Sequence, residues 1–285
     1  MNFLDIDNLT SNQIIEIFHL ADQLRMGEHK DILKGKTFIL FFPENSIRTR
    51  VTFEKGIKDL GGQSILFTPE ALDRREQLGD MIQYIENWAD GVIVRHPNFT
   101  KIVELSERSA IPIINAMTDY NHPCEILSDL YSIGKVRENY RELVYTFVGP
   151  AGNISRSWMK AAAVMDLAFN HVCIRGNELS EPSPTYTFHT DLEQILSRSD
   201  VVLTDSLPNG LLKQSYIDQY QITVERMDTA REGALLCPCP PFYRNEEVSE
   251  SVIASPYFVG YKFKGNLIYI QQAIILFCLR LNSTE

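Results

Sequence analysis

Basic stretches are missing from this chain. Its 27 Lys and Arg are outnumbered by 37 Asp and Glu, giving a formal charge of -10 and a pI near 5.2. No Lys/Arg stripe stands out, which argues against a nucleic-acid partner or an anionic membrane surface. A small basic pocket for a compact anion is compatible with that bulk figure. Long apolar runs are also scarce. The most apolar stretch, LIYIQQAIILFCLRL near the C-terminus, is too short and too interrupted to span a bilayer, and reads as a buried helix. The first residues, MNFLDIDNLTSNQ, have neither a basic segment nor an apolar core, so no signal peptide is expected. Cysteine is sparse and odd in number: five, at Cys124, Cys173, Cys237, Cys239 and Cys278, in 285 residues. A chain of this size needs no covalent staples, and the pattern fits a reducing cytoplasm. Cys237 and Cys239 form a C-x-C pair without a second Cys/His cluster, short of the ligand set of structural zinc, so no metal is expected.

What the chain does have is rhythm. Thr10 reads as the cap of an amphipathic helix over SNQIIEIFHLADQLR. TFILFF (37–42), QSILF, GVIVR (91–95) and IPIINAM read as strands, with helical patterns between them. A long helix is expected from about Pro123 through CEILSDLYSIGKV. After the charged connector RENYREL the alternation restarts with LVYTFVG, HVCIRG, DVVLTD and ALLCP as strands, while EPSP (181–184) is a loop. Such alternation implies α/β architecture with doubly wound parallel sheets. Two runs of it, split near residues 135–143, imply two domains, 1–137 and 138–265.

Four polar clusters follow strands, the edge where ligands gather in such sheets. Ser46-Ile47-Arg48-Thr49-Arg50 follows the first strand and opens a helix. A helix N-terminus offers unpaired N–H groups and a partial positive charge. Ser46 and Thr49 add hydroxyls, Arg48 can grip phosphate oxygens bidentately, and Ile47 still supplies its N–H. The plainer alternative is an ordinary helix start, with Ser46 as cap and the arginines solvated. Arg95-His96-Pro97 ends the third strand, and His122-Pro123-Cys124-Glu125 opens the long helix. A salt-bridged Arg95 and a capping or core His122 are the corresponding alternatives. Cys239-Pro240-Pro241 with Arg244 follows the last strand of the second half.

FFPENSIRTRVTFE resembles the S-T-R-T-R phosphate motif of the aspartate/ornithine carbamoyltransferase family. IVRHP, NHPCEILSDL and CPPFYRNEEVS resemble that family's R-H-P, H-P-x-Q and H-C-L-P-x-x-R-x-x-E-V segments, in the same order and over essentially the whole chain. The resemblance implies a carbamoyl-phosphate domain (1–137) to which the final helix (266–282) returns, and an amine-binding domain (138–265). It implies transfer of a carbamoyl group to an amine in the cytoplasm, without metal or organic cofactor, by a homotrimer or a multiple of trimers.

Ser46, Ile47, Arg48 and Thr49 match the phosphate-holding positions. Arg95 and His122 match the donors to the carbamoyl oxygen, and Glu125 stands where the family has a glutamine beside that group. Arg74 matches a basic residue extended into the neighbouring subunit's site, though a solvated place in DRRE is the alternative. On the amine side, Asn153, Asp205 and Cys239, with Pro240 after it, match the ornithine-specific members. An acid at Asp205 attracts an ammonium and repels an anionic substrate. Ornithine is therefore the first choice, giving citrulline, and part of arginine metabolism.

Departures from the family pattern keep other amines open: putrescine, an acylated ornithine, lysine, aspartate or a specialised amino acid. Leu207-Pro208-Asn209-Gly210 replaces a short S-M-G segment, Pro238 replaces a histidine, Ile47 a threonine and Leu267 an arginine. A paralogue that binds an anion without catalysis is a further alternative, motivated by Glu125 and Leu267. A nicotinamide enzyme is disfavoured, because VGPAGN (148–153) lacks the third glycine and the spacing of a dinucleotide fingerprint.

Overall fold

The computed structural model describes residues 1–281 and divides into two compact units, Met1–Tyr131 with the segment from Gly265 onward, and Ser132–Lys264. The last residue of the final helix expected at 266–282 lies outside the described residues.

The first unit opens with α1 (Ser11–Arg25), fixed by a capping box in which Thr10 and Gln13 satisfy each other's backbone N–H groups. Four strands follow, β1 (Thr37–Phe41), β2 (Gln63–Phe67), β3 (Gly91–Arg95) and β4 (Ile113–Met117). They form one parallel sheet in the order β2-β1-β3-β4. The helices after them are α2 (Ile47–Asp59), α3 (Leu78–Ile85), α4 (Phe99–Arg108) and α5 (Pro123–Val136). β1, β3 and β4 are buried on both faces, which is why they read as continuous apolar runs. β2 is equally apolar in sequence, yet every one of its residues is exposed.

The second unit contains β5 (Val144–Val148), β6 (Ala168–Val172), β7 (Tyr186–His189), β8 (Val201–Thr204) and β9 (Leu235–Pro238). These are also all parallel, in the order β7-β6-β5-β8-β9. Helix α6 (Asn153–Met165) links β5 to β6, and α7 (Leu192–Leu196) precedes β8. Shorter helices α8 (Gln214–Tyr220), α9 (Val224–Met227), α10 (Glu250–Ile253) and α11 (Gly260–Lys264) complete the unit.

Two sequence expectations move here. The strand read over HVCIRG begins earlier, at Ala168, because Asp166 takes the left-handed conformation and ends α6 three residues sooner than its apolar pattern suggests. β7 was not expected at all. It is a four-residue edge strand of mixed polarity, with no apolar run to mark it.

Helix α12 (Leu267–Leu279) packs on α1 and α2 in the first unit. Nearly all its side chains are buried, so it shows little amphipathic stripe. Gln272 Nε2 donates to the carbonyl of Gly56 at 2.9 Å. A Cβ at Gly56 would sit 3.1 Å from the Gln272 side chain, so the missing side chain permits this close approach. Among the described residues, no helix is long and apolar enough to cross a membrane.

Candidate active site

In the first unit the strand order reverses direction between β1 and β3, the point at which open α/β sheets leave a crevice at their carboxyl ends. Ser46 follows β1 at the N-cap position of α2, but its hydroxyl is not used as a cap. Instead Ser46 Oγ, itself buried, accepts a hydrogen bond from Arg95 Nη1 at 2.9 Å, across the switch point. Ser46 as an ordinary cap is thereby excluded. Thr49 is buried in the first turn of α2, while Ile47 and Arg48 face outward. Arg50 is engaged elsewhere, in an i,i+4 ion pair with Glu54 at 2.7 Å. The two arginines of the motif thus divide: one braces the helix surface, and Arg48 remains at the α2 N-terminus, where the helix field favours an anion.

The β4–α5 turn is held by a buried amide network. Asn115 Nδ2 donates to Asn121 Oδ1 (2.7 Å) and to the Leu4 carbonyl (2.8 Å), and Thr118 Oγ1 donates to the same Asn121 oxygen at 2.7 Å. Asn121 N–H returns a bond to Thr118 Oγ1 at 3.0 Å. A turn fixed on both sides in this way sets where α5 begins, and hence where His122 and Glu125 lie. Both are buried, and they occupy the start and first turn of the helix. The first-turn position suits a carboxylate by the helix field. Burial pushes the neighbouring Cys124 thiol well up, with Cys278 and then Glu125 adding to it, so Cys124 is an inert core group.

Arg74 is exposed, just beyond the turn Pro69–Asp73. Its backbone is anchored through Asp73, whose carboxylate accepts from Lys101 and from His96 Nε2. His96 Nδ1 accepts the Asn98 N–H at 3.0 Å, so Nε2 carries the hydrogen. The Lys101 bond, then that of His96, hold the Asp73 carboxyl below its usual range despite some desolvation. His96 of the R-H-P segment therefore supports the Arg74 loop.

In the second unit the switch point lies between β5 and β8. The turn after β5 leads into α6, which begins at Asn153, and Asp205 follows β8. The two residues thus follow neighbouring strands, and both are half-buried. Asp205 Oδ1 accepts the Ser206 N–H at 2.9 Å. Cys239 and Pro240 follow β9, the next strand over; the Cys239 N–H bonds the Thr204 carbonyl at 2.8 Å, and its thiol is buried. The Pro240–Pro241 peptide is cis.

Sequence reasoning passed over Glu247. This buried carboxyl accepts the Tyr243 N–H at Oε1 (2.6 Å), while Oε2 is buried without a hydrogen-bond partner. Desolvation, with smaller contributions from Glu246 and Asp205, pushes it up to about 7. Its signal was available, since it is the glutamate of the quoted E-V segment. Leu267, where the resemblance places an arginine, is buried in the core at the start of α12.

Chemically, the first unit gathers hydroxyls, guanidinium groups and a histidine at one sheet edge, which suits an oxyanion. The second offers a carboxylate, an amide and a thiol, which suits an ammonium or amine. The family model described as the aspartate/ornithine carbamoyltransferase carbamoyl-P binding domain matches residues 1–135, and that of the Asp/Orn binding domain matches residues 141–278. The ornithine carbamoyltransferase of Carboxydothermus hydrogenoformans is 30% identical over 98% of this chain and 97% of its own length. That of Syntrophotalea carbinolica is 28% identical over 96% and 97%. The crystal structure of ornithine carbamoyltransferase from Burkholderia thailandensis superposes with a TM-score of 0.89 at 27% identity, over 98% of both chains. Two matched domains, in order and spanning the fold, make this chain a member of the aspartate/ornithine carbamoyltransferase family and an ornithine carbamoyltransferase-like transferase.

Proposed function

We propose that the chain transfers the carbamoyl group of carbamoyl phosphate to ornithine, releasing citrulline and phosphate. Ser46, Arg48, Thr49 and the Ile47 N–H hold the phosphate. Arg95 and His122 donate to the carbamoyl oxygen, with Glu125 beside it. As the amine attacks, the C–N bond forms and charge builds on that oxygen, so donors aimed there lower the barrier; losing one costs about 3 kcal/mol. The C–O bond to phosphate then breaks, and the departing phosphate takes the amine proton. Asp205 and Asn153 bind the substrate's α-amino end, with Cys239 and Pro240 beside the reacting amine.

The observation that carries the choice of ornithine is Asp205 at the carboxyl end of β8, one strand from Asn153. An acid there favours a cationic amine over aspartate. The names of the relatives at 28–30% identity support the same choice.

The working unit is a homotrimer, or a multiple of it. Supporting this, all of β2 is exposed although it carries Ile65, Leu66 and Phe67, and Val51 and Trp88 are also large exposed apolar side chains in the first unit. An uncovered apolar edge strand calls for a partner, and a second copy would bring an exposed Arg74 with it. All five cysteines are buried thiols outside any disulfide, which suits the cytoplasm.

Incubating the protein with carbamoyl phosphate and ornithine, with citrulline detected directly, tests the proposal. Citrulline formation supports it. Binding of carbamoyl phosphate with no turnover of any amine would instead indicate the silent paralogue.

A further inference from the structure

His171 is fully buried in β6 of the second unit, where neither phosphate nor amine chemistry requires a histidine. Its ring sits edge-on to Phe147 and Phe188, with centroids 5.7 and 5.2 Å away. Nε2 lies 2.8 Å from the carbonyl oxygen of Gly149. A carbonyl only accepts, so Nε2 carries the hydrogen, and Nδ1 is left to accept from the Tyr186 hydroxyl at 3.3 Å. That hydroxyl in turn accepts the Leu179 N–H at 2.9 Å. One directed chain of hydrogen bonds therefore runs from the β6–β7 connection, through Tyr186 and His171, to the turn after β5.

That turn is the one that delivers Asn153. Gly149 has φ 149°, and a Cβ there would lie 3.3 Å from the Phe147 ring. The turn is tied again from the same connection, by the Ala151 N–H donating to Asn177 Oδ1 at 3.2 Å. It is closed by Ser155 Oγ accepting the Gly152 N–H at 2.8 Å. Asn177 lies in an exposed loop and leaves water as a competitor. His171 is sealed from solvent, so its bond to Gly149 has no substitute if lost.

We infer that His171 is a positioning residue for the acceptor site: by holding the Gly149 carbonyl it sets the turn that presents Asn153 to the amine substrate. This rests on the reading of Asn153 as an amine-binding residue. Burial lowers the ring's pKa to about 4, so the donor geometry holds throughout the neutral range.

The test is steady-state kinetics on four variants with carbamoyl phosphate and ornithine. His171→Phe keeps ring packing and removes the donor; it should raise the KM for ornithine about tenfold while leaving the KM for carbamoyl phosphate within twofold. His171→Gln restores an N–H near the Nε2 position and should recover most of that loss. Because His171 acts through Asn153, the double variant His171→Phe/Asn153→Ala should be no worse for ornithine than Asn153→Ala alone, as coupled residues are non-additive. Additive losses, or equal losses for both substrates, would overturn the inference. If Asn153→Ala leaves the ornithine KM unchanged, the reading of Asn153 fails first, and the inference falls with it. Should His171→Phe not fold, two-dimensional NMR of the histidine ring nitrogens in the unmodified protein decides: an Nδ1–H tautomer, or titration near 6.5, would rule out the proposed bond.

Discussion

The two sheets carry their candidate residues at equivalent places, yet they differ in how those residues are held. In the first unit the cluster is locked by direct bonds between its own members and by buried turns: Arg95 to Ser46, and Asn115, Thr118 and Asn121 beneath His122. In the second, Asp205 and Asn153 stand on turns fixed from behind, Asn153 through His171 and Asn177. The sequence departures follow the same division. On the donor side, Ile47 keeps a backbone N–H, which here bonds the Asn45 carbonyl at 3.0 Å, and Leu267 has been absorbed into the core. On the acceptor side, Leu207-Pro208-Asn209-Gly210 and Pro238 alter the chain next to Asp205 and Cys239. A site for one fixed group, as proposed for phosphate, would tolerate little rebuilding. A site that selects among amines can change its walls while keeping one charged anchor.

The largest effect expected is on the donor side. Arg48→Ala and His122→Ala should each lower kcat/KM by two orders of magnitude or more, as loss of one oxyanion donor costs about 3 kcal/mol. Far-UV circular dichroism should remain unchanged, since Arg48 is exposed and His122 lies in a turn held by other residues. Near-normal turnover in either would break the donor half of the comparison.

The next is on the acceptor side. Asp205→Asn should raise the KM for ornithine at least tenfold and leave carbamoyl phosphate binding by calorimetry within twofold. Equal loss of both would mean that the two halves are not separable. Glu125→Gln is smaller: an amide in place of the carboxyl beside the carbamoyl group should tighten carbamoyl phosphate binding two- to fivefold, and weaker binding would count against its placement there.

The smallest effects concern pH and stability. His171 is held at about 4 against an ordinary 6.5, so its neutral form contributes stability that is present above 6.5 and lost as the pH falls through 4. The full contribution is on the order of 3 kcal/mol. Glu247 is held at about 7 against 4.5, so it contributes stability that is present below 4.5 and lost as the pH rises through 7. Between 4.5 and 6.5 the two slopes oppose each other. Thermal melts of His171→Gln should therefore lose the rise of stability with pH from 4 to 6.5, and those of Glu247→Gln the fall from 4.5 to 7. Unchanged profiles would show that neither group is held as the structure has it.

Much of this architecture was legible because a strand buried on both faces must be apolar throughout. TFILF, GVIVR, VYTFV and VVLT could be little else, and the polar clusters behind them marked the ligand edge. Apolarity does not reveal which faces are covered, so QSILF read like its neighbours although it is exposed. β7 was invisible because a short edge strand needs no continuous apolar run. In the site, residue types were readable from motifs, but pairings were not: nothing in SIRTR says that Arg50 turns to Glu54 while Ser46 meets Arg95. His171 belongs to no motif, and only the neighbouring strands reveal its task.

The most direct test of the account is a competition in one vessel: labelled carbamoyl phosphate with equal concentrations of ornithine, putrescine, lysine, N-acetylornithine and aspartate, with every ureido product resolved. The account predicts citrulline as the dominant product, arising only when the enzyme is present. A different dominant product would contradict the acceptor reading of Asp205 and Asn153, and no enzymatic product at all would contradict the proposed transfer to ornithine.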